Sequence, residues 1–231
     1  MNRNLNELQE NINYHFSDEK LLITALTHSS YASEKRKSHI YNNERLEFIG
    51  DAFLDAIIGS KLYYIMLDSA EGALSQNRAE VVCEDTLADV ARRIDLGKFL
   101  LLGKGEIKTN GADKSSILAD ALEALIGAII LDSDYETGKE VVNTLFTDKV
   151  RLAVLGKLKT DFKSKLQEKY QCTYHSNDLE YCLVKEDGPP HDRTFYVTVK
   201  HRGVVIGNGV GKSKAKAEQS AAESVLTKGE I

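Results

Sequence analysis

A chain of 231 residues with 42% hydrophobic residues can form one large domain, or a domain and a small module. Its three cysteines, Cys83, Cys172 and Cys182, fit neither a disulfide framework nor a standard zinc-ligand spacing, which indicates a reducing cytoplasm. No apolar run approaches the ~18 residues of a membrane span, and the polar N-terminus lacks a secretory signal, so we expect no membrane partner.

The net charge of −5 conceals an asymmetry between the two parts of the chain. Residues 156–231 carry 13 basic and 10 acidic residues, whereas residues 1–155 carry 17 and 25. An acidic body followed by a basic module indicates two separate tasks. Charge alone does not identify the partner of the basic module.

Helical periodicity runs through almost all of residues 1–155, and no stretch there alternates at period two. The strongest signals are apolar runs that follow Asp, Asn or Ser, which are common helix N-caps. We predict, in chain order, a helix after Asp18, a long helix from an Asn42/Asn43 cap to about Met66, two helices ending near Gly97, an apolar helix at 115–132 capped by Ser115 or Ser116, and an amphipathic helix at 134–146.

The pattern changes after a short linker around residues 155–159. A short helix at 161–171 precedes three strand-like runs at 179–187, 193–203 and 204–211, and an Ala-rich helix occupies 212–228. We therefore predict an all-α domain in residues 1–155, followed by a small α+β domain of α-β-β-β-α order in residues 156–231.

Four carboxylates fall along one stripe of the long helix predicted at residues 44–66. Glu44, Glu47, Asp51 and Asp55 are spaced three, four and four residues apart, which places them on one helix face. Like charges at this spacing repel one another by a few tenths of a kcal/mol per pair, and by more where water is scarce. A stripe of this kind in an apolar helix needs an explanation.

The apolar helix predicted at 115–132 repeats the oddity with Asp120 and Glu123. A solvated face and the helix dipole explain Glu44 and could explain Asp55 and Asp120. Acids that converge between two apolar helices, however, would repel one another in a poorly solvated place. A divalent cation relieves this repulsion, and ligands that offer only oxygen favour Mg²⁺ or Mn²⁺. The metal site depends on the two helices meeting.

The apolar residues Phe48, Ile49 and Phe53 lie next to these acids in the sequence and predict a poorly solvated surrounding for them. A Mg²⁺ ion held by carboxylates is usually completed by water and phosphate oxygens. Such a site can activate water for attack on phosphorus. The chemistry that the pattern favours is hydrolysis of a phosphodiester.

The last predicted helix begins in a cluster of cations. Ser213 is a candidate N-cap, and Lys212, Lys214 and Lys216 surround the first turn. Cations there oppose the helix dipole, at about 0.3–1 kcal/mol each, unless a phosphate binds between them. Solvated lysines without a ligand remain an alternative. A helix N-terminus beside a sheet that lacks an aromatic ladder favours double-stranded RNA, which is recognised by shape.

Five segments resemble the ribonuclease III family. "NERLEFIGDAFLDAIIG" (43–59) is similar to its signature, and "KSSILADALEALIGAIILD" (114–132) to its second acidic motif. "ALTHSSY" (25–31) and "LGKGE" (102–106) match in kind and order. Residues 160–228 resemble a double-stranded RNA-binding domain. The architecture is that of the bacterial enzyme.

This resemblance implies an all-helical endonuclease domain that forms a homodimer, in which each subunit cuts one strand. The implied products carry 5′-phosphate and 3′-hydroxyl ends with short 3′ overhangs, and the implied substrates are ribosomal RNA precursors and structured mRNA. By motif position, Glu47, Asp120 and Glu123 would bind Mg²⁺, with Mn²⁺ as a substitute. Asp51 and Glu123 would be the catalytic residues, with Asp51 orienting water. Glu44 would belong to the dimer interface.

The resemblance also implies the RNA contacts of the small domain. Gln167 and Gln171 would face one minor groove, and the Pro190–His191 loop the next. Lys212, Lys214 and Lys216, at the Ser213 cap, would span the phosphates between the grooves. Ala215 and Glu218 depart from the family, which often has lysines at these places.

Two alternative functions follow from the same features. One is a non-catalytic double-stranded RNA-binding dimer whose helical body is only a scaffold, which the loss of one of the four acids would have favoured. The other is a helical Mg²⁺ phosphohydrolase that acts on nucleotides and carries an unrelated basic tail. Cleavage that requires a duplex would distinguish the expected endonuclease from both.

Overall fold

The computed structural model describes residues 4–35, 41–158, 162–174, 178–189 and 193–228. Contacts divide the chain into two compact units, residues 1–159 and 160–231. The boundary predicted between residues 155 and 156 stays a prediction, and the division by contacts falls a few residues after it.

The described part of the N-terminal unit is helical. Its 3₁₀ helices are Leu96–Phe99 and Gly111–Asp113. The α-helices are α1 (Leu5–Asn11), α2 (Glu19–Ala25), α3 (Ser29–Glu34), α4 (Glu44–Ile65), α5 (Glu71–Val81), α6 (Glu84–Arg93), α7 (Lys104–Lys108), α8 (Ser115–Asp132) and α9 (Tyr135–Val154).

The Asp18 side chain caps α2 as the sequence predicts, whereas the N-cap of α4, Asn43, makes no side-chain cap hydrogen bond. The Asp18 carboxylate accepts a hydrogen bond from the Lys20 N–H at 3.0 Å, and Asn42 Oδ1 accepts one from the Glu44 N–H at 3.3 Å. The predicted Ser115 or Ser116 cap of α8 is wrong. The N-cap is Lys114, without a side-chain cap, and the Ser115 hydroxyl instead accepts a hydrogen bond from Arg92 at 3.2 Å.

Helices α4 and α8 pack against each other at the centre of the N-terminal unit. Twelve residues of α8 are buried, because the helix is apolar on nearly every side. On α4 the buried side is a stripe that includes Leu54, Ile58 and Leu62. The other helices of the unit supply further apolar side chains to the same core. This pairing fixes where the acids of α4 and α8 lie.

The C-terminal unit contains a three-stranded antiparallel sheet in the order β1-β2-β3. Helices α10 and α11 pack together, and α11 lies against β2 and β3. The small core of this unit includes Leu166, Tyr170, Val197, Val199 and Ala221. The elements are α10 (Phe162–Tyr174), β1 (Leu179–Asp187), β2 (Thr194–His201), β3 (Val204–Gly211) and α11 (Lys214–Lys228).

The predicted fold class, an all-α unit followed by an α-β-β-β-α module, is confirmed. Cys83, Cys172 and Cys182 form no disulfide bond. Within the described residues, no helix is both long and apolar enough to cross a membrane.

Candidate functional site

Three carboxylates meet between the two central helices. Glu47 comes from α4, and Asp120 and Glu123 come from α8. Each offers an oxygen that lies within 4.8 Å of the oxygens from the other two. All three side chains are half-buried. The sequence left open whether the two acidic helices meet, and the structure brings their acids together.

Two glycines allow this meeting. A Cβ atom at Gly50 of α4 would lie 1.9 Å from the Glu123 carbonyl oxygen, and one at Gly127 of α8 would lie 2.3 Å from the Leu46 carbonyl oxygen. No other residue fits at such a distance, so the backbones of α4 and α8 touch there. Glu47 lies one turn before Gly50, and Glu123 one turn before Gly127. Sequence reasoning missed both glycines, although a glycine inside a helix costs about 1 kcal/mol and is itself a signal of close packing.

The electrostatics of the group favour a bound cation. Burial, together with the smaller effect of the charges of Asp51, Glu47, Asp120 and Asp55, raises the pKa of Glu123 to about 8. Burial also raises the pKa values of Glu47 and Asp120. Without a cation, the group therefore holds its negative charge at a cost, which a divalent ion would relieve.

The other acids of the α4 stripe lie around this group and not in it. Asp51 is exposed, and its charge raises the pKa values of both Glu47 and Glu123. Asp55 lies 3.9 Å from the Arg78 guanidinium. Glu44 is exposed in the first turn of α4. The stripe thus divides into one member of the carboxylate group and three neighbours of it.

The expected apolar surrounding is only partly correct. Ile49 and Phe53 are half-buried. Phe48 is 77% exposed, so the prediction that it shields the acids is wrong. It points away from the α4–α8 contact, because it lies one position beyond Glu47 on the helix.

The predicted cap of α11 is present. The Ser213 hydroxyl accepts a hydrogen bond from the Lys216 N–H at 3.2 Å, as an N-cap residue does. Lys212, Lys214 and Lys216 are all exposed around this first turn. The Lys212 ammonium also donates to the Thr194 hydroxyl at 3.2 Å. Three cations therefore surround the N-terminus of α11.

The remaining predicted RNA contacts lie on α10 and in the loop between β1 and β2. Gln167 and Gln171 are exposed and one turn apart on α10. Pro190 and His191 lie outside the described residues. Glu218, which departs from the family, lies 2.7 Å from the Lys163 ammonium, so that its charge is compensated within the unit.

Comparison with known proteins gives matches for both units. A ribonuclease-III-like family model matches residues 18–150, and a double-stranded RNA-binding motif matches residues 162–228. A ribonuclease 3 of Caldanaerobacter subterraneus is 46% identical over 97% of both chains. One of Clostridium tetani is 42% identical over 98% of this chain and 95% of its own.

Solved structures match the N-terminal unit. Two structures of the nuclease domain of ribonuclease III from Campylobacter jejuni are 42% identical and superpose with a TM-score of 0.59, each over 63% of this chain. The match covers 95% of one and 98% of the other, and the second is described as flexible in a region involved in dimer formation. On these similarities, which span nearly the whole sequence, the chain belongs to the ribonuclease III family.

Proposed function

We propose that this chain hydrolyses phosphodiester bonds of double-stranded RNA with Mg²⁺ bound by Glu47, Asp120 and Glu123. As a member of the ribonuclease III family, it is an endoribonuclease that acts on double-stranded RNA. The metal, the roles of the residues and the products are what the proposal adds. The observation that carries it is the group of three carboxylates whose oxygens lie within 4.8 Å of one another.

The residues present fit a hard divalent ion. Mg²⁺ prefers oxygen ligands at about 2.0–2.1 Å, so two of its ligands lie at most about 4.2 Å apart. The carboxylate oxygens, which lie within 4.8 Å of one another, would close in by side-chain rotation to reach such distances. Mn²⁺ has the same preference for oxygen and can replace Mg²⁺. When bound, the ion would supply Lewis-acid activation of water and of the scissile phosphate.

The surrounding residues would divide the remaining work. The Glu123 carboxyl, whose pKa is raised to about 8, would give up its proton when the ion binds. The exposed Asp51 carboxylate would accept a hydrogen bond from the attacking water and orient it. Hydrolysis of the P–O3′ bond, with O3′ as the leaving group, would leave 5′-phosphate and 3′-hydroxyl ends, and cuts offset on the two strands would leave short 3′ overhangs.

The C-terminal unit would hold the duplex. The N-terminus of α11 presents backbone N–H groups and the exposed Lys212, Lys214 and Lys216 to one phosphate path. Gln167 and Gln171 would contact one minor groove, and Pro190 and His191 the next. Double-stranded RNA-binding domains span about 16 bp in this way and read shape rather than sequence.

Replacing Lys214 and Lys216 together by Ala is expected to weaken duplex RNA binding and to flatten its salt dependence. Each lost phosphate contact lowers the slope of log K against log salt by about 1. Binding titrations between 50 and 300 mM KCl measure this slope. The charge-matched control is Lys185→Ala with Lys200→Ala, because both side chains lie on the sheet face opposite the buried Val197 and Val199. Equal slopes in the two double variants would mean that the α11 lysines do not contact the RNA phosphates.

A homodimer would form through the start of α4. Phe48 protrudes there, 77% exposed, beside a cavity of about 660 Å³ whose lining includes Leu21, Glu44 and Leu131. A protruding apolar side chain and a cavity in one surface are self-complementary under a two-fold rotation. The relatives from Campylobacter jejuni have a region involved in dimer formation in the same domain. A dimer would hold two carboxylate groups, one for each strand.

In the cell, the proposed substrates are ribosomal RNA precursors and structured mRNAs, and the proposed location is the cytoplasm. A duplex read by shape has no required sequence, so many structured transcripts can serve. Cysteines that form no disulfide, in both units, are consistent with a reducing compartment.

The first experiment is cleavage of a long labelled RNA duplex, compared with single-stranded RNA and duplex DNA, in Mg²⁺ and in EDTA. We expect duplex RNA to be cut in Mg²⁺ and not in EDTA, and we expect neither single-stranded RNA nor duplex DNA to be cut. Tight binding to the duplex without cutting in Mg²⁺ or Mn²⁺ would favour the non-catalytic RNA-binding dimer. Hydrolysis of mononucleotides would favour the phosphohydrolase.

A further inference from the structure

Two segments of the family resemblance that the proposed function leaves without a role pair with each other in the structure. Thr27 and Leu101 form a parallel bridge, in which the Leu101 N–H donates to the Leu26 carbonyl at 2.7 Å and the His28 N–H donates to the Leu101 carbonyl at 3.1 Å. The Gly103 N–H donates to the Ser30 hydroxyl at 2.9 Å. "ALTHSSY" and "LGKGE" thus form one local structure with His28 at its centre.

Ser30 fixes the His28 ring and its proton. The Ser30 N–H donates to Nδ1 at 3.3 Å, and the Ser30 hydroxyl lies 2.7 Å from the same atom. Because this hydroxyl oxygen accepts from Gly103, its own hydrogen is free to donate to Nδ1. Nδ1 is therefore an acceptor, and the neutral ring carries its proton on Nε2.

The segment that carries this ring is hydrogen-bonded to the start of α4, the helix from which Glu47 comes. The Thr27 carbonyl accepts a hydrogen bond at 2.9 Å from the N–H of Asn43, the residue that precedes α4. Burial raises the pKa of Asp120, and the positive charge of a protonated His28 would lower it, so the ring and this carboxyl are close enough to interact. Among the described residues no hydrogen-bond partner of Nε2 is found, and the His28 side chain is half-buried. The ring therefore holds a fixed N–H donor that has no partner among the described residues.

We propose that His28 Nε2–H donates a hydrogen bond to a non-bridging phosphate oxygen of the RNA at the scissile bond, which makes His28 a substrate-binding residue of the nuclease unit. This inference rests on the proposed function, because it presupposes a phosphodiester at the carboxylate group. A neutral donor suits this place: a lysine or arginine would pair with the adjacent acids and compete with the metal, whereas a neutral imidazole adds no charge.

The test uses the full chain and the variant His28→Asn. Asn is a good N-cap, so Oδ1 can still accept from the Ser30 N–H, while the donor at Nε2 is lost. Under single-turnover conditions with saturating Mg²⁺, we expect cleavage of duplex RNA to slow by about 100-fold, as for other single donors to a reacting oxyanion. His28→Gln places an amide N–H near the position of Nε2 and should recover part of the rate. His15→Asn, at an exposed histidine, is the matched control and should cut normally.

Two further readouts separate a contact with RNA from a structural role. Mn²⁺ affinity of the RNA-free protein, measured by calorimetry, should be equal in wild type and His28→Asn. A phosphorothioate substrate carries sulfur in place of the non-bridging oxygen that His28 contacts. This substrate should be cut more slowly by the wild type even in Mn²⁺, because Mn²⁺ restores the rate only where the sulfur binds the metal. The same substitution should not slow His28→Asn further. These are the results that a hydrogen bond to that oxygen requires.

Three results would overturn the inference alone: an unchanged cleavage rate in His28→Asn, a loss of Mn²⁺ affinity in this variant, or a sulfur effect as large in the variant as in the wild type. The second would mean that His28 acts through Asp120. A wild-type protein that cuts no duplex RNA would overturn the proposed function and this inference together.

Discussion

Gly50→Ala is expected to unfold the N-terminal unit at a markedly lower temperature and to abolish cleavage. The new Cβ would lie 1.9 Å from the Glu123 carbonyl oxygen, so α4 and α8 must separate. Overpacking against backbone costs about 3 kcal/mol or more. For a unit of this size, that lowers the unfolding midpoint by roughly 6–12 °C. A displacement of about 1 Å among catalytic groups costs about 100-fold in rate.

Gly59→Ala is the matched control on the same helix. A Cβ at Gly59 would meet only the Arg78 side chain, with Cδ at 3.6 Å and a guanidinium nitrogen at 4.0 Å, which are ordinary contact distances. Alanine in place of a helical glycine should stabilise the unit by about 0.5–1 kcal/mol and leave cleavage unchanged. Calorimetry and a duplex cleavage assay on both variants decide the matter. If both lost stability equally, the close approach at Gly50 would not be the reason for its glycine.

Glu123→Gln should bind duplex RNA as the wild type does and fail to cut it. The proposed metal ion would supply several kcal/mol of transition-state stabilisation, so weakening its site should lower the rate by at least about 100-fold. RNA binding should persist, because it depends mainly on the C-terminal unit. Gel-shift titrations in Ca²⁺ and cleavage in Mg²⁺ measure the two properties. Normal cutting would exclude Glu123 from the site.

The same variant should be more stable than the wild type at pH 8 in EDTA. The pKa of Glu123 is about 8 in the folded protein and near 4.5 when unfolded. Between these values the unfolded chain releases the proton and the folded chain keeps it, so wild-type stability falls as pH rises through this window. Glutamine does not titrate, so the difference in unfolding midpoint should grow from pH 5 to pH 8 and then level off.

Mg²⁺ should reverse this order by stabilising the wild type more than the variant, since it binds the folded state. Glu140→Gln, which neutralises an exposed acid of α9, is the control and should show neither effect. A pH-independent difference between wild type and Glu123→Gln would mean that the carboxyl is not destabilised by its surroundings.

Much of the fold follows from local signals in the sequence. The helix predicted from Asn42/Asn43 to about Met66 is observed at Glu44–Ile65, and two of the three strands were predicted with their observed ends, Leu179–Asp187 and Val204–Gly211. Apolar periodicity and turn residues determine the structure of the few residues around them, so a single sequence is enough to predict these elements. The predicted cap of α8 was wrong because the helix begins at Ser115 itself, whose hydroxyl accepts a hydrogen bond from Arg92, distant in sequence.

The sequence predicted which residues belong to the candidate site, but it did not predict that they lie together. Asp120 and Glu123 drew attention because acids are rare in a helix as apolar as α8. That they meet Glu47 depends on a crossing of two helices, which no periodicity encodes. The exposure of Phe48 was missed for a similar reason, since a pattern of apolar residues does not distinguish a core from a surface that another chain covers.

The contact at Gly50 and Gly127 has a consequence for how the sequence can change over time. Where main chain touches main chain, the crossing point of α4 and α8 does not depend on the shape of any side chain. The large apolar residues around it, such as Leu54 and Leu122, can therefore be exchanged for others of similar volume while the crossing point stays in place. Substitutions among these core residues should therefore leave the positions of the carboxylates unchanged. Gly50 and Gly127 are the positions at which a substitution would move them.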